Sequence, residues 1–366
     1  MKFSQSKNSR KRQSRKCTEI NQICSKIYHD NQQPKPHIAI ISKKRQKPTF
    51  EDTVHLSQSQ IEEYQKFHKG LVLVGKSKED PICLAKWLPF NKMPNDELQS
   101  WNEFAQFLIH RTTIVPEVKK NGAQAGGVMY ADGWRKSYKT QEAFGRFCNV
   151  VKLQKHLKKG TFDWFEEEDN IQKSNDWLSK TLKSLAPLPF EESHNTLKTK
   201  NLPSLAMPEY GYQLRSSDFA SFLTFTMYNF FNKPHVDTDI NTWTLVGWIP
   251  IIDPLKNHKE KLNRKDVILA DENFDMIGGQ FVFRDFQFYL DFTKFSGISL
   301  CVFKSNEYRH QTLEGCSPSE LYTRIGFSCQ ISQKLAHAVE KYLSGELDNL
   351  PVGGQLQHII DAQSRK

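Results

Sequence analysis

From Phe50 onward the spacing of apolar positions divides the chain into two parts. In the first, the period is mostly helical. Leu56, Ile61, Tyr64 and Phe67 predict a short amphipathic helix, followed by strand-like runs over Gly70 to Gly75 and Ile82 to Leu88. A helix is expected to open at Asn95, with Asp96 and Glu97 in its first turn and Leu98, Trp101, Phe104 and Leu108 at helical spacing. A glycine-rich, basic and aromatic stretch, Ala125 to Tyr138, leads into a helix capped by Thr140 and ending at Lys159 before Gly160. Another helix is expected over Glu166 to Leu185. The stretch from Pro187 to Pro208, rich in Pro, Ser, Asn and Thr, reads as a linker or long loop.

Beyond that stretch the period falls to that of strands. Phe219 to Phe231, Trp243 to Ile252, Gly279 to Phe283, Ser299 to Lys304 and Leu321 to Ile331 are short β-prone runs bounded by turn residues, a spacing that predicts a sandwich or jelly roll. Leu255 to Glu272 is charged and poor in apolar residues and reads as a loop insertion. A helix over Gln333 to Leu343 closes the pattern. The expected architecture is α+β: a double-stranded β-helix (jelly-roll) core over 205–335, a mainly helical portion over 50–204 packed on it, and a C-terminal helix and tail over 336–366.

Charge changes the picture only at the start. Residues 1–49 hold 13 Lys and Arg against Glu19 and Asp30, or +11 of a formal net charge of +10, so the other 317 residues sum to −1. A basic, polar, aromatic-poor tail cannot bury enough apolar surface to offset its ordering entropy, so residues 1–49 are expected to be disordered. The runs Lys7 to Lys16 and Lys43 to Lys47 read as nuclear-import or polyphosphate-binding patches, with a plain solvated tail as the bland alternative. A mitochondrial presequence ranks lower, because no amphipathic apolar face accompanies the arginines. Seven cysteines with no C-x-x-C pair argue against a disulfide framework and a structural zinc site. No apolar run reaches the length of a membrane span, so no membrane partner is expected.

The candidate chemistry centres on Lys233-Pro234-His235-Val236-Asp237. Residues i and i+2 of a strand share a face, which sets an imidazole beside a carboxylate. With 12 histidines in the chain, about one H-x-[DE] arises by chance, so the pair alone is weak. The order of the downstream segments strengthens it: Gly278-Gly279 enters a strand, Ser299 to Lys304 forms another, and His310 comes 73 residues after Asp237. A rolled sheet returns such a histidine to the same mouth. Two histidines and a carboxylate form the facial triad of non-heme Fe(II) oxygenases, with open positions left for a cosubstrate and O₂. Arg324 starts an apolar strand 14 residues after His310. A buried arginine is costly unless its fork meets a carboxylate, here the distal carboxylate of 2-oxoglutarate, and Ser328 on the same face is placed to add a hydroxyl contact.

The run Phe225 to Phe230, the His235/Asp237 pair, Gly278-Gly279, His310 and Arg324 together resemble the Tet/JBP branch of the Fe(II) and 2-oxoglutarate dependent oxygenases, and look most like its fungal Tet-like members; Gly133 to Ser137 is similar to a further motif of that group. The resemblance implies iron on His235, Asp237 and His310, cosubstrate on Arg324 with Ser328 and Tyr228 beside it, and oxidation of a methyl group on a nucleic-acid base, chiefly 5-methylcytosine or thymine. It implies a DNA partner whose base is flipped out of the stack. Trp134, Arg135, Lys136 and Tyr138 are the expected contacts to that partner, with a basic loop of Lys256, Lys259, Lys261, Arg264 and Lys265 beside them. Where animal members carry a base-reading asparagine this chain has Ile240, so Asn241 or Asp239 is expected to substitute. The rival readings are a protein or small-molecule hydroxylase of the same chemistry, and a non-catalytic nucleic-acid-binding relic of a mobile element.

Overall fold

A computed structural model describes Ile27 and residues 36–41, 54–77, 80–119, 122–137, 142–256 and 267–365. The first part of the chain runs β1 (His37–Ile40), α1 (Gln58–Glu62), β2 (Gln65–Phe67), β3 (Leu71–Ser77), β4 (Asp80–Pro89), α2 (Asn95–Arg111), β5 (Gln124–Lys136), β6 (Phe144–Arg146), α3 (Val150–Lys158), α4 (Trp164–Leu185) and α5 (Pro187–Thr199). The second runs β7 (Phe222–Asn232), β8 (Thr244–Ile252), β9 (Ile277–Gly278), β10 (Phe281–Phe283), β11 (Phe288–Leu290), β12 (Gly297–Phe303), β13 (Gln311–Thr312), β14 (Gly315–Cys316), β15 (Tyr322–Gln330), α6 (Gln333–Leu343) and α7 (Gln355–Ser364).

Nine strands form the major sheet in the order β1-β3-β4-β12-β8-β15-β7-β5-β6, and β13-β10-β11-β2 form the minor one. Every pairing in the major sheet is antiparallel except β1 on β3. Its central strands β8 and β12 read as nearly continuous apolar runs because both of their faces are covered. On one face, Trp87, Val246, Trp248 and Phe303 pack against Phe281, Phe283 and Phe288 of the minor sheet, which is the jelly-roll core. On the other, Leu223, Phe225, Ile325 and Phe327 pack against Trp101, Phe104 and Leu108 of α2 and Leu178 and Leu182 of α4. The architecture is α+β with a double-stranded β-helix core and flanking helices.

The helical layer is clipped to the sheet by a buried ionic cluster. Arg111 of α2 donates to both oxygens of Asp132 on β5, at 2.6 and 3.1 Å, and to Glu167 of α4 at 2.8 Å. Arg146 of β6 lies 3.7 Å from Asp132 and donates to the carbonyls of Leu205 and Met207. Burial raises the Asp132 carboxyl, but the two guanidiniums outweigh it and hold it below its ordinary value.

Three expectations are corrected. Pro187 to Thr199 is a helix, not a linker: Pro187 takes its first position and Pro189 falls in the first turn, where a missing N–H costs nothing. The glycine-rich segment is a 13-residue strand, and the helix after it starts at Val150 with Asn149 as its cap. Thr140, the expected cap, lies outside the described residues, as do Lys259, Lys261, Arg264 and Lys265. Within the tail expected to be disordered, His37–Ile40 pairs with β3 and Ile27 is fully buried, its carbonyl accepting from Leu188. The basic runs Lys7 to Lys16 and Lys43 to Lys47 lie outside the described residues.

Candidate metal centre

The segment after β7 continues in extended conformation and is stitched to the segment after β12. The His235 N–H donates to the His310 carbonyl at 3.1 Å and the His310 N–H to the His235 carbonyl at 2.9 Å, while the Asp237 N–H reaches the Ser305 carbonyl at 3.0 Å. The two-residue alternation therefore holds, and one ligand atom from each of His235, Asp237 and His310 lies within 4.8 Å of the others. The imidazole Nε2 of His235 is 3.6 Å from Asp237 Oδ1, and that of His310 is 3.7 Å from Asp237 Oδ2.

Tautomers are fixed from behind. His235 Nδ1 lies 2.9 Å from the Lys233 carbonyl and His310 Nδ1 lies 3.1 Å from that of Tyr308. A carbonyl has no proton to give, so each Nδ1 donates, and Nε2 is the ring atom turned toward the cluster. Burial lowers His310 to about 4, which keeps that ring neutral and able to ligate. The rings of Phe281 and Phe303 pack against it. This donor set, two imidazoles and one carboxylate, fits Fe(II).

The three residues open on a cavity of about 220 Å³ between the sheets, walled by Phe230, Trp248, Phe281 and Phe303 and floored by Thr224, Thr226 and Ser328. Arg324 lies on the same face of β15 as Gly326 and Ser328, beyond the cavity lining. It is 8 % exposed. Its guanidinium makes only long bonds, 3.3–3.4 Å, to the carbonyls of Gly279, Gly278 and Phe292, and Nε has no partner. Phe274 and Phe292 sit at 5.8 Å on its faces. Burial lowers this arginine to about 10, outweighing the opposing pull of Asp291, and no carboxylate is among its hydrogen-bond partners. An orphaned buried fork of this kind fits a carboxylate ligand such as that of 2-oxoglutarate.

Other expected site residues fall elsewhere. Tyr228 and the following Asn229 both adopt left-handed backbone, φ 59° and 56°, and this local irregularity sets Tyr228 against the helical core, while Phe230 lines the cavity with Thr224 and Thr226. Tyr228 is therefore not beside a cosubstrate. Trp134 is 0 % exposed in the core under α6, with its indole N–H bonded to the Met207 carbonyl, so it cannot stack on a base. Asn241 is buried and committed to Trp243, Thr244 and the Ile331 N–H, a loop-building role that rules out base reading. Arg135 is ion-paired with Glu142, Lys136 is exposed, and Tyr138 lies outside the described residues. Lys256 is paired with Glu320.

Two further residues of the site carry no motif of their own. Gln330, at the end of β15, donates to Asp237 and to Asp239. Burial, with Asp237 beside it, pushes the Asp239 carboxyl well above its ordinary range. The sequence signal for Gln330 is its alternation with Arg324, Gly326 and Ser328 along one strand face.

Among the described residues no helix is long and apolar enough to cross a membrane. No curated protein matches the chain. A family model described as the Tet-like 2OG-Fe(II) oxygenase superfamily matches residues 94–315, taking in the helical layer, the H-x-D segment and His310 and ending before Arg324. That match spans more than half of the chain and contains all three converging ligands, and on it the chain belongs to the Tet-like 2-oxoglutarate and Fe(II) dependent oxygenase superfamily.

Proposed function

We propose that this oxygenase oxidises a methyl group on a nucleic-acid base, 5-methylcytosine or a related base flipped out of DNA. The observation that carries the reading is the His235, Asp237 and His310 cluster at the mouth of an aromatic-walled cavity, in a chain of Tet-like family. The residue pattern shared with fungal Tet-like members and the basic runs of the N-terminal tail support a DNA partner and a nuclear location.

In this reading His235, Asp237 and His310 would hold the iron, and the cavity they open on would take the substrate. Arg324 anchors the distal carboxylate of 2-oxoglutarate, and Ser328 adds a hydroxyl near it. Bound together with O₂, these groups supply oxidation of a C–H bond coupled to conversion of the keto acid to succinate and CO₂. Phe230, Trp248, Phe281 and Phe303 keep bulk water from the reacting carbon, and Thr224 and Thr226 offer hydroxyls to the polar edge of the substrate.

The test is mass spectrometry of nucleosides after incubation with 5-methylcytosine DNA, Fe(II), ascorbate and 2-oxoglutarate. A hydroxymethyl nucleoside is expected from the parent and none from His235→Ala. The burial of Trp134 and Asn241 favours a second reading, a hydroxylase of protein or small molecules. Succinate release on such a substrate, with an unchanged nucleoside profile, selects it.

A further inference from the structure

Gln330 meets the centre at the Asp237 carboxylate. Its Nε2 lies 3.1 Å from Asp237 Oδ2 and 2.7 Å from Asp239 Oδ2, so the two protons of one amide go to two different carboxylates. The oxygen end is oriented in turn, because the Thr224 hydroxyl lies 3.4 Å from Gln330 Oε1. The side chain is 8 % exposed and lines the cavity, and its backbone is fixed by pairing with Phe222 on β7. His235 and His310 are oriented by backbone carbonyls on their Nδ1 atoms. The imidazoles lie 3.6 and 3.7 Å from the Asp237 carboxylate, and the hydrogen bond that fixes it comes from the Gln330 amide.

We propose that Gln330 is a positioning residue for the metal centre: it orients Asp237 as a ligand and holds Asp239 off the metal by binding both carboxylates with one amide. The proposal rests on the reading of His235, Asp237 and His310 as the ligand set. A residue that orients a ligand changes metal affinity without touching the ion, by about tenfold or more. Without the amide, Asp237 rotates freely and Asp239 competes for the open side of the metal.

The experiment titrates the metal-free full chain with Co(II) under anaerobic conditions and follows the visible absorption of the bound ion. Gln330→Met removes both donors at nearly constant volume. Gln330→Asn keeps an amide in the site but one methylene short of the pair. Both are expected to bind Co(II) about tenfold more weakly than the parent and to show a shifted spectrum at saturation. Circular dichroism identifies which variants are folded. Parent-like affinity and spectrum in either folded Gln330 variant overturns the positioning role alone. Failure of the parent itself to take up Co(II) overturns the ligand set, and the proposal with it.

Discussion

At the scale of single residues the site depends on keeping protons in the right places. An imidazole ligates only when neutral, and burial lowers His310 to about 4 against an ordinary value of about 6.5. The unfolded chain takes up a proton at this residue as pH falls below its ordinary value, whereas the folded metal-free protein does not until much lower. The stability held by the neutral ring is therefore full above the unfolded pKa and is lost as pH falls through the window toward the folded value. Ring NMR signals of the metal-free protein are expected to show His310 untitrated at pH 5; an ordinary midpoint there would contradict its burial. For Arg324, replacement by Met removes the fork and keeps much of the volume. It is expected to weaken 2-oxoglutarate binding by about 2–3 kcal/mol, roughly a hundredfold, and to leave metal affinity unchanged, as read by calorimetry. The convergence of His235, Asp237 and His310 was legible in the sequence because the first two share a strand face by alternation and a rolled sheet returns the third to the same mouth. Trp134 and Asn241 were misread because composition does not reveal which indole or amide has already found its partner inside.

At the scale of elements, β7 decides which side chains see the cavity. Up to Met227 it alternates regularly, with Thr224 and Thr226 toward the cavity and Leu223, Phe225 and Met227 toward the helices. The left-handed pair Tyr228-Asn229 breaks that register, and Gly126 and Gly127 of β5 lie against the break. Gly127 has φ +66°, and a Cβ there would run into the backbone of Phe230. Gly127→Ala is expected to cost about 1–3 kcal/mol and to lower the thermal midpoint by several degrees, with Gly122→Ala, where a Cβ meets open space, as the silent comparison. Strict alternation would set Tyr228 with Thr224 and Thr226; the left-handed pair turns it away locally, while Phe230 and Asn232 line the cavity as alternation expects, and no residue-type signal announces such a local break. The strands β7, β8, β12 and β15 were readable because they are long and apolar. The helix α5 was not, since prolines that end a helix elsewhere can also begin one.

At the scale of the molecule, one sheet carries two interiors, the jelly-roll core on one face and the helical core on the other. The Arg111, Asp132 and Glu167 cluster ties α2 and α4 to β5 within the helical layer and stands apart from the residues that line the metal cavity. Arg111→Met leaves two buried carboxylates without their main cation and is expected to cost about 3–5 kcal/mol in denaturant unfolding, while Co(II) affinity of the folded fraction stays as in the parent. The β-rich half of this architecture followed from periodicity; the parallel entry of β1 beside β3 did not, because a four-residue strand in a basic context carries almost no pattern.

The reciprocal amide bonds beneath His235 and His310 have a consequence for how the enzyme lives with an easily lost metal. The two rings are mounted on backbone segments bonded directly to each other, so taking up iron at the proposed centre would require no gathering of distant segments. A molecule that has surrendered its iron to a chelator remains an intact socket, ready to be refilled and returned to work.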